Sequence, residues 1–351
     1  MRIAQLAPTY ERVPPPAYGG TENVVHLLTE ELVRRGHDVT LYASGDSRTS
    51  ARLRSVTPHA MRYGSVRGDL RHAEYLQLAN AQACFRDADD GEFDVVHNHA
   101  GVEGVVLAAT SRTPVLTTNH TSFVPDVQSI WDEYPWAHHS LSAASAATFP
   151  SRGALPPIHH GIDVASFPFA ARPNEDPYLL FLGRFMPEKG SARAIEAARR
   201  SGRRLILAGK VDQTDADFFS NHIEPEIDDR QIRYIGEADP GGKRHLLAGA
   251  EALLFPIGWE EPFGLVMIEA LACGTPVIGF RRASVPEVVD DGLTGFVVDD
   301  LDGMVEAIAR IREIDRTRCR AAAEGRFDVS RMVDDYEHHY RHVLESTLAA
   351  A

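Results

Sequence analysis

At 351 residues the chain is longer than one ordinary core fills and suits two domains. Its 36 Lys and Arg against 50 Asp and Glu leave a formal charge of −14. This excludes capture of nucleic acid by an overall positive field, and any anionic ligand must be held by a few local cations. Cys84, Cys273 and Cys319 are odd in number and lack CxxC spacing, so neither a disulfide framework nor a zinc site is indicated. A reduced, cytoplasmic setting is expected. The opening "MRIAQLAPTY" is broken by Gln5 and Pro8 and is not a signal peptide, and no run approaches the roughly 18 apolar residues of a membrane span.

In chain order, "RIAQLAP" reads as a strand, Thr21 to Arg35 as a helix stopped at Gly36, and "DVTLYAS" as the next strand. "FDVVHNH" and "PVLTTNH" are two more, each ending in polar residues and His. A Pro-rich, polar break follows at "HHGIDVASFPFAARPNEDP". The alternation then restarts with "YLLFLGR", "RRLILAG", "IRYIGE", "EALLFP", "PVIGF" and "GFVVDD" as strands. Helices are expected at 190–201, 243–250, 264–273 and 304–313. Two rounds of alternating strands and helices predict an α/β protein of two doubly wound domains, 1–165 and 172–331. The last helix, about 332–351, is expected to return to the first domain. In such sheets ligands bind beyond the carboxyl ends of the strands, and with two facing domains the cleft between them is the default site.

Those strand ends carry the unusual residues. In "LGRFMPEKG", Arg184 and Lys189 stand where a strand gives way to a helix, which makes either an anion site or an ordinary solvated loop. In "EEPFGLVMIEALACG", Glu261 precedes the helix start, where the N–H groups of Phe263, Gly264 and Leu265 are left without helical partners. Glu269 lies about five residues inside, roughly 7–8 Å further along the axis. It sits between Ile268 and Ala270 in an apolar segment, where an unpartnered acid is costly, so a specific partner is expected. Near the start, Gly19 and Gly20 in "AYGGTEN" permit close backbone approach between the first strand and its helix.

His97 and His99, two apart on a strand, share a face. They lack a convincing third ligand, so no metal site is expected. His120 in "TTNHTSF" is better placed to touch a ligand, and the pairs His138-His139, His159-His160 and His338-His339 read as surface or packing residues. Six arginines between Arg48 and Arg71 face one acid, Asp69. They either steer an anionic acceptor or a membrane face, or form a solvated loop and helix edge, which is the simpler reading.

The ordered set "YGG", "HHGIDVASF", "GRFMPEKG", "EPFGLVMIEALACGTPVIG" and "DGLTGFVVDD" resembles the retaining glycosyltransferases of family 4 from about residue 1 to 315. The resemblance implies the GT-B fold, two Rossmann-like domains facing across a cleft, and transfer of a sugar from a nucleotide-diphosphate donor (UDP-, GDP-, ADP- or dTDP-linked) to a hydroxyl acceptor. It places the donor diphosphate on Arg184 and Lys189, with Gly19 and Gly20 approaching it from the other domain. The ribose hydroxyls fall to Glu269, and the transferred sugar and phosphates to Glu261, Phe263, Gly264 and Leu265. It also implies a sugar contact by His120 and a nucleobase pocket at Gly236 and Glu237. Tyr18, His97 and His99 are set on the acceptor side.

No cofactor and no metal is required on this reading, since the cations and helix N-termini stabilise the leaving diphosphate. The family explains retention by attack on the face from which the donor departs. Neither nucleic acid nor membrane is indicated as a partner.

Two departures stand out. "LAGKVD" sets Lys210 either to alter the base pocket or to reach phosphate, and "FPIGWEEPF" places Trp259 before the acidic motif. A nucleotide-sugar epimerase on the same fold and a non-catalytic nucleotide-sugar sensor are the alternatives. A dinucleotide oxidoreductase is disfavoured because no GxGxxG follows the first strand.

Overall fold

The computed structural model describes residues 1–16, 19–62 and 70–350. Its chain forms two compact units, Met1–Gly161 with Val329–Ala351, and Ile162–Asp328. The first holds β1 (Arg2–Leu6), β2 (Asp38–Tyr42), β3 (Arg52–Arg54), β4 (Val95–Asn98), β5 (Val115–Asn119) and β6 (Ala137–Ser140). Their spatial order is β3-β2-β1-β4-β5-β6, and every pairing is parallel. The second unit holds β7 (Leu179–Leu182), β8 (Leu205–Ala208), β9 (Ile232–Tyr234), β10 (Ala252–Phe255), β11 (Val277–Phe280) and β12 (Gly295–Val298). Their order is β12-β11-β10-β7-β8-β9, again all parallel. Parallel sheets need cover on both faces, which is why β4, β5 and β10 are buried along their whole length. In each unit the sheet reverses its winding at the central strands, the arrangement that opens a crevice at the carboxyl ends.

The elements that the sequence did not suggest are short or polar. β3 is a three-residue edge strand, "RLR", and β6 reads "AHHS" with no β-branched residue. β6 is held by its surroundings: Trp131 and Phe149 pack on His138, at ring separations of 5.0 and 6.2 Å. Two helices start earlier than their apolar pattern because aspartates cap them. Asp239 accepts from Gly242 N–H at 2.6 Å to open Pro240–Gly249, and Asp300 accepts from Gly303 N–H at 2.9 Å to open Leu301–Arg310.

The last helix, Val329–Ala350, packs in the first unit. Arg35 reaches Asp334 at 2.6 Å, His37 reaches Glu337 at 3.0 Å, and Tyr336 and Tyr340 are wholly buried.

A helix at Arg316–Arg326, also unforeseen, is fastened by its first residue. The buried Arg316 guanidinium donates to the carbonyls of Ala170 (2.7 Å), Ala250 (2.8 Å) and Ala248 (2.8 Å), and to Thr275 Oγ1 (2.7 Å). Burial lowers its pKa, yet with several acceptors around it the cation remains the stable form. Arg316→Met should therefore cost about 3 kcal/mol, because buried carbonyls lose their donors. Urea unfolding checks this, and a loss below about 0.5 kcal/mol would show that the carbonyls find other partners.

Candidate functional site

In the second unit the polar residues singled out in the sequence gather at the carboxyl ends of β7, β8 and β10. After β7 the chain passes Gly183 and Arg184 to a single turn, Pro187–Lys189, and Gly190 (φ 85°) then begins the helix Ser191–Ser201. That glycine is required on two counts. Its φ is left-handed, and a Cβ there would meet the Pro256 carbonyl of the β10 loop. Gly258 N–H donates to Glu188 C=O at 2.6 Å, tying the two loops together.

This brings Lys189 Nζ onto the Glu261 carboxylate, which also accepts from Trp259 Nε1 at 2.9 Å. The Lys189 ammonium lies 4.9 Å from the centre of the Trp259 ring. Trp259 thus orients the acid and shields the pair.

Arg184 is held by two acids that the sequence reading did not single out. Its Nε lies 2.5 Å from Asp215 and 3.1 Å from Asp212, and its Nη2 donates to Thr214 Oγ1 at 3.0 Å. Lys210 pairs with the same Asp212. Gly209 N–H donates to Gly236 C=O at 2.9 Å, which links the ends of β8 and β9, while Glu237 is exposed. Gly264 (φ 83°) precedes the helix Leu265–Ala272, whose start has no side-chain cap. A Cβ on Gly264 would strike the Phe255 ring at 2.9 Å, so packing as well as backbone conformation fixes glycine here. Glu269 is 4% exposed and does have a partner: Lys243 Nζ, 2.5 Å away on the helix Pro240–Gly249.

In the first unit Gly19 precedes the helix Gly20–Arg34, which also starts without a side-chain cap. A Cβ on Gly19 would lie 2.7 Å from Pro15 Cβ and 3.3 Å from Glu22 Oε2. Burial pushes the Glu22 carboxyl up to about 7. Tyr18 falls outside the described residues, as do 63–69 of the arginine-rich stretch. Arg54 in that stretch pairs with Asp87 and Glu92, and Arg62 with Glu11 at 3.1 Å.

His97 and His99 lie with ring centres 3.8 Å apart, and every nitrogen of the two rings has a partner: Tyr340 and Thr118 for His97, His120 and Gln5 for His99. Burial drives both far below the usual imidazole value and brings His120 down to about 3. His139 and His160 are lowered in the same way. His160 stacks on His120, with ring centres 5.4 Å apart. Neither His139 nor His160 is a surface residue, and only His338 of its pair is exposed. Among the described residues no group of three or more His, Cys, Asp or Glu is placed to hold a metal ion.

Paired cations beside helix starts, beyond the ends of parallel strands, suit a polyanionic ligand, and a buried carboxylate suits a diol. The comparisons with known proteins bear on the family. Residues 165–326 match the family model "Glycosyl transferases group 1", and residues 18–167 match "Glycosyltransferase Family 4". The chain belongs to the family 4 glycosyltransferases.

Over 347 residues it is 26% identical to a phosphatidyl-myo-inositol mannosyltransferase of Mycolicibacterium smegmatis, covering 91% of this chain and 86% of that protein. Over 397 residues it is 28% identical to a glycogen synthase of Mycobacterium tuberculosis, covering 96% and 91%. Among solved structures it resembles AviGT4, a glycosyltransferase involved in avilamycin A biosynthesis (TM-score 0.73, 26% identity, 98% of each chain). It also shares the fold of Anabaena HepE in complex with UDP and glucose (TM-score 0.72, 17% identity, 96% and 98%). This glycosyltransferase therefore has the GT-B fold of two Rossmann-like units. Among the described residues no helix is long and apolar enough to cross a membrane.

The buried titratable groups set how stability depends on pH. Neutral histidines with depressed pKa bind fewer protons folded than unfolded below pH 6.5, so they take stability away as pH falls through that value. Glu22, raised from 4.5 to about 7, acts in the opposite sense and takes stability away as pH rises between those values. The unfolding temperature should drop steeply from pH 6.5 to 5. Glu22→Gln should gain about 3 kcal/mol at pH 8 and nothing at pH 4.5. Melting curves of both proteins across this range test the signs, and identical profiles would rule out a buried, raised Glu22.

Proposed function

We propose that the enzyme moves a sugar from a nucleotide-diphosphate donor to a hydroxyl acceptor with retention, the second unit holding the donor. The observation that supports this most is the Lys189–Glu261 ion pair, which joins the loop after β7 to the loop after β10. Arg184 stands on the first of those loops, and Glu269 on the helix with the uncapped start that follows the second. Arg184, Lys189 and the N–H groups at Phe263, Gly264 and Leu265 take the diphosphate, and Glu269, steadied by Lys243, takes the ribose hydroxyls. Glu261 faces the transferred sugar, and His120 touches it from the first unit. Gly19 and Gly20 approach the phosphates, and the base lies by Gly236 and Glu237. His97 and His99 belong to the acceptor side, His99 bonded to His120 and His97 packed on His99.

Lys189 and Glu261 change partners when the donor arrives. The diphosphate competes for the ammonium, which frees a carboxylate oxygen for a sugar hydroxyl. As the sugar–phosphate bond breaks, charge grows on the diphosphate against fixed cations and helix dipoles, which carry the stabilisation with no metal ion in the scheme. A donor phosphate oxygen takes the acceptor's proton, so no protein base is required on the face of attack.

Thermal unfolding with UDP, GDP, ADP and dTDP, each with and without EDTA, tests this. A nucleotide at 100 times its dissociation constant adds about 2.7 kcal/mol, roughly 5–10 °C for a chain of this size. One of the four should shift the melt, EDTA should not alter the shift, and Glu269→Ala should abolish it. Glu261→Ala should keep most of the nucleotide shift and slow transfer. No shift with any nucleotide, or shifts unchanged in Glu269→Ala, would overturn the assignment.

A further inference from the structure

The buried histidines of the first unit are joined end to end. His120 Nε2 lies 2.8 Å from His99 Nδ1, and His99 Nε2 lies 2.8 Å from Gln5 Oε1. Gln5 Nε2 is 3.0 Å from the Tyr340 hydroxyl, which is 2.7 Å from His97 Nδ1. The chain continues from His97 Nε2 to Thr118 Oγ1 and from Thr118 Oγ1 to His139 Nε2, both at 2.7 Å. It ends where His139 Nδ1 meets the Ser140 carbonyl at 3.0 Å. Sheet register sets up the sequence of contacts: β1 and β4 bring Gln5 beside His97, and β5 and β6 bring Thr118 beside His139.

The last contact decides the direction of every other. A carbonyl only accepts, so His139 Nδ1 carries the hydrogen. Burial keeps these imidazoles neutral, with one N–H each. His139 Nε2 therefore accepts from the Thr118 hydroxyl, and Thr118 accepts from His97 Nε2–H. His97 Nδ1 accepts from Tyr340, and Tyr340 accepts from the Gln5 amide. Gln5 Oε1 accepts from His99 Nε2–H, and His99 Nδ1 accepts from His120 Nε2–H. Tyr336, with its hydroxyl 3.3 Å from Thr118 Oγ1, donates into the remaining lone pair there. The reverse sense, with Gln5 flipped, would set a bare His139 nitrogen against the Ser140 carbonyl oxygen.

We propose that His99 is a positioning residue that holds His120 in the Nε2–H tautomer, so that His120 Nδ1 is offered only as an acceptor, to a hydroxyl of the transferred sugar. This rests on the reading that His120 touches that sugar. Two observations carry it: the directed chain, and a His120 Nδ1 that is shielded from solvent and has no hydrogen-bond partner among the described residues. Such a nitrogen accepts from an O–H and discriminates against a deoxy or O-methyl sugar at that position. Tyr340 both accepts from Gln5 and donates to His97, so the last helix is part of the same device.

Long-range 1H–15N spectra of histidine-labelled protein read the tautomer without any substrate. Wild type should show His120 neutral with hydrogen on Nε2 from pH 6 to 8. His99→Leu should release it to the other tautomer or a mixture. His99→Asn, whose Oδ1 stands in for Nδ1, should restore the single form. If His99→Leu does not fold, Gln5→Leu, which removes the acceptor of His99 Nε2–H, should loosen the tautomer in the same way. Hydrogen on Nδ1 in wild type, or a tautomer unchanged in the folded Leu variant, would overturn the proposal.

Calorimetry with UDP against UDP-glucose, or ADP against ADP-glucose if unfolding selects adenine, gives a second readout. His99→Leu should cut the affinity gained from the sugar about tenfold and leave the bare nucleotide unchanged. Should His120→Ala keep the whole sugar increment while the wild-type tautomer is as stated, the sugar-contact reading fails and the directed chain stands.

Discussion

An ionisable group taken out of water must either find a partner or give up its charge, and the two units of this enzyme meet that constraint in different ways. The second unit pairs its charges. Lys189 sits on Glu261, Lys243 on Glu269, and Arg184 on Asp212 and Asp215. The first unit pairs charges too, Arg62 with Glu11 and Arg54 with Asp87, but its histidine cluster gives charge up: His97, His99, His120 and His139 are neutral and exchange hydrogen bonds with one another, with hydroxyls and with an amide. The second unit's pairs lie in the loops and helices that follow its strands, while the first unit's histidines occupy the last residues of β4 and β6 and the positions just past β4 and β5, toward the same carboxyl ends.

The difference fits what each unit is read to bind. A diphosphate is best met by cations whose acids can yield to it, so paired charges leave the site electrically quiet before the ligand arrives and strongly basic after exchange. A sugar hydroxyl is met better by neutral groups of fixed direction. A protonated imidazole would offer two donors and no acceptor, and would sit unpaired in a buried site. The overall charge of −14 favours the same division, because a free basic cluster would attract the protein's own carboxylates.

How much of this could be read from the sequence depends on how local the cause is. The strands of the second unit were legible because all but β9, which reads "IRY", are continuous apolar runs, and the two-domain alternation followed from them. β6 was not, since "AHHS" owes its strand to Trp131, Phe149 and the register with β5 rather than to its own preference. The requirement that Glu269 have a partner was readable from its apolar neighbours. The identity of that partner was not, because Lys243 reaches it only through the packing of two helices. Asp212 and Asp215 were hidden for the same reason, among ordinary acids of a polar loop. His97 and His99 were correctly placed on one face by spacing alone. Their partners Gln5, Thr118 and Tyr340 come from other strands and from the far end of the chain, and no local pattern points to them.

That dispersal has a physical consequence. The chain of hydrogen bonds draws on residue 5, on 97 and 99, on 118 and 120, on 139 and on 340, so its direction is a property of the assembled unit and of no single segment. Reversing one member reverses the rest, and the Ser140 carbonyl at the end admits only one sense. The first unit therefore needs its returning helix for more than cover of the sheet. Without Tyr340 the Gln5 amide and the His97 ring would face each other across a gap with nothing to pass the hydrogen bond on. The orientation imposed at Ser140 would then stop short of His120.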